Sequence, residues 1–209
     1  MGYCVTMTAY RIETDRLLIR CYSPEDAPKL TEAIGASLDH LRPWMPWAQD
    51  EPETLDAKIE RLRRFRGSFD LGNDFIYGIF SADDSVLLGG TGLHPRVGPN
   101  AFEIGYWVRG DQIGKGLASE TVAALVRVGF EVHKIGRIEI HCDPANVRSA
   151  AIPRKLGFTL DATLRRRALR PDGSERDTMI WSLFATDYTA GVSPHARVAA
   201  FDAARRRLF

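Results

Sequence analysis

Between residues 75 and 142 the apolar pattern changes period twice, and that change limits the chain to a small set of folds. Residues 75–80, residues 86–88 continuing through 91–94, and residues 102–108 are three short strand-like runs. Asp83-Asp84-Ser85 and Gly98-Pro99-Asn100 part them as short turns, which makes an antiparallel meander. The pattern then becomes helical over residues 117–133, with Val122, Leu125, Val126, Gly129 and Val132 on the buried side. Residues 137–142 return to a strand, followed by a short helix over 148–156. Two last strands, near 157–164 and 178–184, flank an Asp172-Gly173 turn.

The flanks follow the same logic. Residues 16–20 read as a first strand. Ser23 then caps a helix with Pro24 at its first position and Asp26 three after the cap, carrying Ala27, Leu30 and Ile34 on one face as far as Gly35. Pro43 and Pro46 exclude regular helix over 41–47, a loop rich in aromatic surface. A second amphipathic helix, over 52–69, has Leu55, Ile59, Leu62 and Phe65 as its stripe, and its Arg61, Arg63, Arg64 and Arg66 read as a solvated face. Residues 193–209 are expected to form a final helix, with Val198, Phe201 and Leu208 on one side, docked on the domain or on a partner. The order β-α-α-β-β-β-α-β-α-β-β predicts an α/β fold around a mixed sheet.

A chain of 209 residues suits one domain, placed at residues 1–188, with 189–209 as a helical extension. Twenty-eight basic and 27 acidic residues leave a net charge of +1, so no global attraction draws the chain to nucleic acid or an anionic membrane. Arg165, Arg166, Arg167 and Arg170 sit beside Asp172, Glu175 and Asp177, which dilutes a nucleic-acid reading of that segment too. No stretch approaches the roughly 18 apolar residues of a membrane span, and the N-terminus lacks a secretory pattern. Met1 to Thr6 satisfies a loose acylation pattern, but no polybasic segment follows, and an arbitrary leader is the simpler reading. Cys4, Cys21 and Cys142 are odd in number, scattered and without CxxC spacing, as expected in a reducing, cytoplasmic compartment.

The chemistry concentrates in Val108-Arg109-Gly110-Asp111-Gln112-Ile113-Gly114-Lys115-Gly116-Leu117-Ala118-Ser119, where a strand feeds a glycine turn that opens directly into a helix. Unpaired N–H groups and a positive macrodipole end favour a phosphate there, and Gly114 and Gly116 let it approach the backbone. Lys115 adds a full charge. Two familiar phosphate loops are excluded by counting. GxxxxGK[ST] needs glycines five apart, whereas Gly110 and Gly114 are four apart, and Gly116 stands where Ser or Thr is required. GxGxxG started at Gly114 would need glycine at Ser119. Neither ATP nor NAD is favoured.

Together with Asn146-Val147-Arg148-Ser149 and Lys155-Leu156-Gly157-Phe158, this turn resembles the acetyl-CoA-binding core of the GNAT N-acetyltransferase superfamily, whose loop reads Gln/Arg-x-x-Gly-x-Gly/Ala. Arg16-Leu17-Leu18-Ile19-Arg20, residues 41–47 and Glu103-Ile104-Gly105-Tyr106-Trp107 resemble its ribosomal-protein N-terminal acetyltransferase branch, and the likeness spans about residues 12–188. It implies a mostly antiparallel sheet of six to seven strands, acetyl-CoA as acyl donor, no metal, an amine acceptor and a possible homodimer. Cofactor contacts are implied for Trp107, Val108, Arg109, Ile113, Gly114, Lys115, Gly116, Leu117, Ala118, Ser119 and Asn146. There are departures: Ile113 stands where Gln or Arg is usual, Arg154 replaces a common Glu, and Pro153 holds the place of a tyrosine that protonates the leaving thiolate in many members.

Transfer requires an amine to lose a proton, attack a thioester and expel a thiolate. Glu103, four residues before Trp107 and so on its face, is the expected base, against the alternative of an Arg-paired structural carboxylate. Ser149 is the expected donor to the thiolate, against simple helix capping. Trp44 and Trp47 are candidate walls of the acceptor pocket, and His94 ends a strand beside it. His141 and Cys142 point to opposite faces of one strand and cannot jointly chelate a metal. A direct transfer to a protein N-terminal or small-molecule amine is the expected reaction. A non-catalytic acyl-CoA sensor and a transferase of a longer acyl group are the alternatives.

Overall fold

The meander forms as the turn residues demand. In the computed structural model, which describes residues 7–170, 172–188 and 197–209, β3 (Phe75–Ser81), β4 (Leu87–His94) and β5 (Ala101–Val108) pair antiparallel in succession. Ahead of them lie β1 (Arg11–Glu13), β2 (Leu17–Cys21), α1 (Ala27–Gly35), α2 (Leu38–Leu41) and α3 (Leu55–Asp70). After them come α4 (Leu117–Glu131), β6 (Arg137–Cys142), α5 (Val147–Lys155), β7 (Thr159–Leu169), β8 (Glu175–Phe184) and β9 (Ala199–Phe201). All the described strands join one sheet in the order β7-β8-β6-β5-β4-β3-β2-β1-β9. The α/β fold with a mixed, mostly antiparallel sheet is as expected, with nine strands instead of six or seven. The two additional strands, β1 and β9, are three residues each, too short to show a period.

Each face of the sheet has its own core. Tyr77, Ile79, Leu93, Phe102 and Ile104 pack against Val122, Leu125 and Val126 of α4, with the edges filled by Ile138, Ile140 and Trp181. Leu18, Tyr22 and Phe80 on the opposite face meet Leu30, Ala33 and Ile34 of α1 and Leu62 of α3. Gly129 is where α4 comes closest to the sheet: a Cβ there would lie 2.9 Å from Ile138 Cδ1.

The expected C-terminal helix is overturned over its described part; its start at Ser193 lies outside the described residues, as does the Met1 to Thr6 pattern. Residues 199–201 add β9 to the free edge of β1, pairing Ile12 with Ala200, which is fully buried. The chain then turns at Asp202, whose carboxylate accepts from the N–H groups of Ala204 and Arg206, and Arg205 takes a left-handed φ of 61° that no helix accommodates. An unsatisfied sheet edge outcompeted a weak helical period. Phe209 finishes under the guanidinium of Arg127 on α4, 3.9 Å from ring centroid to Cζ.

The aromatic loop between α2 and α3 is held by a buried ion pair. Lys58 Nζ on α3 donates to both carboxylate oxygens of Glu51, at 2.5 and 2.7 Å, and their side chains are 1% and 3% exposed. Arg42 also donates to the Glu51 carbonyl, so the loop is tied at both ends. Burial pushes the Glu51 carboxyl up, but the Lys58 hydrogen bonds and charge outweigh it and hold it below its ordinary value. Its stabilisation is therefore full above the ordinary carboxylate range and lost as pH falls through the lowered value. Glu51→Gln should cost about 3–5 kcal/mol at pH 7, the usual cost of leaving one buried charge unpaired. In urea melts the gap between wild type and variant should shrink as pH falls below the ordinary carboxylate range, where Glu51 of the wild type also becomes neutral.

Candidate active site

The site is made by a fork in the sheet. β5 and β6 are parallel and pair only at Ala101 with Arg137, Phe102 with Ile138 and Glu103 with Glu139. Beyond Glu103 the two strands part, β6 continuing beside β8 while β5 runs on to Val108 beside β4 alone. Residues 104–108 of β5 thus have no strand partner on the β6 side, leaving backbone donors and acceptors for a ligand.

At the top of β5 the chain turns through Gly114 and Gly116, both left-handed at φ 80° and 78°, into α4. Glu120 is the first residue whose N–H reaches back, to the Gly116 carbonyl at 3.1 Å; the N–H groups from Ile113 to Ser119 have no protein partner among the described residues. A Cβ on Gly114 would meet nothing within 4 Å, and one on Gly116 only Arg16 at 3.7 Å, so both glycines face open space rather than packed protein. The turn is pinned from behind. Arg16 donates to Lys115 O at 2.9 Å and to Glu120 at 2.7 Å, and Thr14 donates to the other Glu120 oxygen at 2.6 Å. This is a preformed anion cradle.

A cavity of about 530 Å³ runs from this cradle to the fork, lined by Ile113, Gly114, Gly116, Leu117, Ala118, Ser119, Trp107, Val108, Asn146 and Ser149. Arg148 and Lys155 of α5 and His40 of α2 complete its wall. A second cavity of about 600 Å³ lies on the α1–α3 side of the sheet, lined by Trp44, Trp47, His94, Glu103, Gly105 and Arg96 among others. The two share Trp44, Met45, Tyr106, Trp107, Asn146 and Ser149, which places their junction in the fork. Trp47 packs edge-on against Trp107, centroids 6.0 Å apart, making the aromatic wall.

Two expected cofactor residues turn their side chains away from this cavity. Arg109 uses its N–H on Leu88 O and its carbonyl on Gln112 N–H, while its side chain pairs with Asp111 and Glu32 to tie the strand end to α1. With every group engaged it lies off the cavity wall. Lys115 also lies off it, its ammonium donating to Gln112 Oε1 at 2.9 Å.

Ser149 does not cap its helix. Asn146 does, its Oδ1 accepting from the Ser149 N–H at 3.1 Å. That frees the Ser149 hydroxyl, which lies 3.0 Å from the hydroxyl of Tyr106; the Tyr106 hydroxyl also donates to the Ser149 carbonyl at 3.2 Å. Burial pushes the Tyr106 hydroxyl above its ordinary value, only partly offset by Ser149. Tyr106 was missed in the sequence because aromatic alternation in a strand reads as core, and only the fork turns it towards α5. The neighbouring Cys142 thiol is likewise pushed up by burial.

Glu103 meets the geometry of the structural alternative. Both its carboxylate oxygens accept from Arg96, each at 2.8 Å, with the His141 ring 3.9 Å away. Burial would raise its pKa, but the Arg96 guanidinium prevails and holds the carboxyl below its ordinary value, which weakens it as a base. His94, opposite Glu103 in the β4–β5 register, has its Nδ1 2.7 Å from Asp74 Oδ1. His141 pairs with Glu139 on its own strand, and no cluster of metal-ligating side chains occurs among the described residues. Nor is any described helix long and apolar enough to cross a membrane.

Comparison with known proteins agrees with this geometry. The family model described as an acetyltransferase (GNAT) domain matches residues 16–159. The chain is 29% identical over 196 residues to a ribosomal protein uS5-alanine N-acetyltransferase of Escherichia coli (strain K12), covering 91% of this chain and 98% of that one. Among solved structures, a ribosomal L7/L12 α-N-protein acetyltransferase in complex with coenzyme A superposes with a TM-score of 0.75 at 20% identity, covering 84% of this chain and all of the other. The microcin C7 self-immunity acetyltransferase in complex with acetyl-CoA and AMP gives 0.77 at 20% identity, covering 86% and 99%. At such identities these structures share the fold.

Proposed function

Because the chain belongs to the acetyltransferase (GNAT) domain family, we propose that it moves an acetyl group from acetyl-CoA onto the α-amino group of a protein N-terminus, by direct attack in a ternary complex. Enzyme class and acyl donor come with the family. The acceptor and the chemistry of transfer are argued from the site, and the observation that carries them is the junction of two cavities at the strand fork.

Acetyl-CoA, when bound, supplies a thioester carbonyl already activated for acyl transfer. The N–H groups from Ile113 to Ser119 and the N-terminus of α4 hold its pyrophosphate, with Arg148 and Lys155 adding positive charge along the cavity. The free edge of β5 over residues 104–108 pairs with the amides of the pantetheine arm and aims backbone N–H at the developing oxyanion. Tyr106 has one proton to give, to the Ser149 carbonyl or to Ser149 Oγ; when it goes to Oγ, the serine hydroxyl is free to turn its own proton towards a departing thiolate. This pair fills the role that Pro153, a ring with no acidic proton, leaves vacant on α5. Glu103 anchors Arg96 at the mouth of the acceptor cavity.

An α-amine suits this site better than a lysine amine. At pH 7 removing its proton costs about 1 kcal/mol, against about 4.6 for lysine. The aromatic wall of Trp44, Trp47 and Trp107 offers apolar surface for a small apolar side chain beside the amine. The uS5-alanine acetyltransferase, similar over nearly its whole length, supports the same class.

Acetyl-CoA at about 100 times its dissociation constant should stabilise the protein by roughly 2.7 kcal/mol in thermal melts. Gly116→Val, which puts a branched residue at a left-handed φ and fills the cradle, should abolish that shift; an undiminished shift in the variant refutes the cradle. A panel of peptides with free N-termini, N-terminally blocked lysine peptides and small amines, read by thiol release, should show turnover on the first group. Ser149→Ala and Tyr106→Phe should each lower kcat, Ser149→Ala by about 2.7–4 kcal/mol of barrier, while calorimetric acetyl-CoA affinity stays within a few-fold. Because the two act through one hydrogen bond, the double variant should lose much less than the sum of the single losses.

A further inference from the structure

Resting on that reading, we propose that His94, oriented by Asp74, is the residue that takes the proton from the acceptor amine. His94 ends β4, lines the acceptor cavity beside Gly105, Tyr106 and Trp107, and has a side chain only 15% exposed. Its Nδ1 lies 2.7 Å from Asp74 Oδ1, on the turn leading into β3. A carboxylate only accepts, so the proton sits on Nδ1 and the Nε2 lone pair is left free.

The sheet is shaped to receive that nitrogen. The ring lies flat across two glycines, Gly92 of its own strand and Gly105 of β5. A Cβ on Gly92 would stand 2.5 Å from His94 Nε2, and one on Gly105 would stand 3.3 Å from the same atom. Gly92 and Gly105 are register partners, so Nε2 lies over that pair, next along β5 to Tyr106 and Trp107. A side chain at Gly92 would displace the imidazole, and one at Gly105 would make it shift by a few tenths of an ångström.

The charges around the ring favour His94 over its neighbours. Asp74 compensates an imidazolium from behind. Glu103 is opposite, with both oxygens taken by Arg96, and His141 beyond it is paired with Glu139. Glu103 thus has a partner of its own; His141 also keeps one ring nitrogen unpaired, 3.9 Å from Glu103, and His94 is set apart from it by its seat over Gly92 and Gly105. The step balances without a further reactant. The neutral amine's lone pair forms the C–N bond, and the proton it sheds passes to Nε2. The C–S electron pair leaves on sulfur, which takes a proton from the Ser149–Tyr106 pair; solvent water then accepts the His94 proton and returns one to that pair.

The test is the pH dependence of acetylation of an N-terminal peptide between pH 6 and 9, with acetyl-CoA binding and melting temperature measured on each variant. His94→Gln should lower kcat about 10²–10⁴-fold at pH 7 with acetyl-CoA affinity and melting temperature nearly unchanged, and the defect should shrink as pH rises. Added imidazole should restore part of the rate to His94→Ala. Asp74→Asn should lower kcat and leave the acid limb of kcat/KM recognisable, because the ring loses the acceptor that orients it. Glu103→Gln should lower the melting temperature by releasing Arg96 and leave that limb in place. His94→Gln with wild-type rates and an unchanged profile overturns the proposal, as does loss of the limb in Glu103→Gln alone. Wild-type enzyme that binds acetyl-CoA but acetylates no N-terminal peptide overturns the acceptor reading first, and the dyad with it.

Discussion

The parting of β5 from β6 is the constraint on which the rest of the structure depends. Two parallel neighbours cannot be joined by a tight turn, so the chain must cross over through α4, and α4 packs Val122, Leu125 and Val126 onto one face of the sheet to do so. The same crossover sets the glycine turn at the top of β5 and points the N-terminus of α4 back at the gap. Once the strands separate beyond Glu103, the exposed edge of β5, the cradle and α5 converge on one opening. The ligand takes the place of a missing strand.

Polar groups near that opening are nearly all committed, and the exceptions define the chemistry. Arg109, Arg96 and Lys58 are each engaged with carboxylates that anchor α1, the cavity mouth and the aromatic loop. Such pairs contribute order more than net stability, since burying charge offsets much of what pairing returns. Against this neutralised background the Ser149 hydroxyl and the His94 Nε2 stand out. One is reached from α5 and the other from β4, and both line the acceptor cavity.

Much of this was legible in the residues themselves. The meander, α4, the short capped α5 and the mixed sheet follow from local period and turn chemistry, which depend on neighbours a few residues apart. The glycine turn was legible for the same reason, because left-handed φ at Gly114 and Gly116 and a helix start directly after them are local properties. Asn146 and Ser149 were found through motif spacing, though which of them caps the helix was not.

What failed or stayed hidden involves partners distant in sequence. Residues 199–201 became a strand because β1 offered an open edge, a fact about position in space that outweighed a weak helical pattern. Glu103 was open between a base and an Arg-paired carboxylate until the chain reversal brought Arg96 onto both its oxygens, and the partner of His94, Asp74, lies 20 residues away along the chain. The sequence by itself determined most of the elements, their order over residues 16–184 and the glycine turn, since these arise from short-range backbone preferences. Only the tertiary structure decided which charges are spent on one another and which remain free to react, because an ion pair is settled by a few ångströms of separation that no pattern along the chain records.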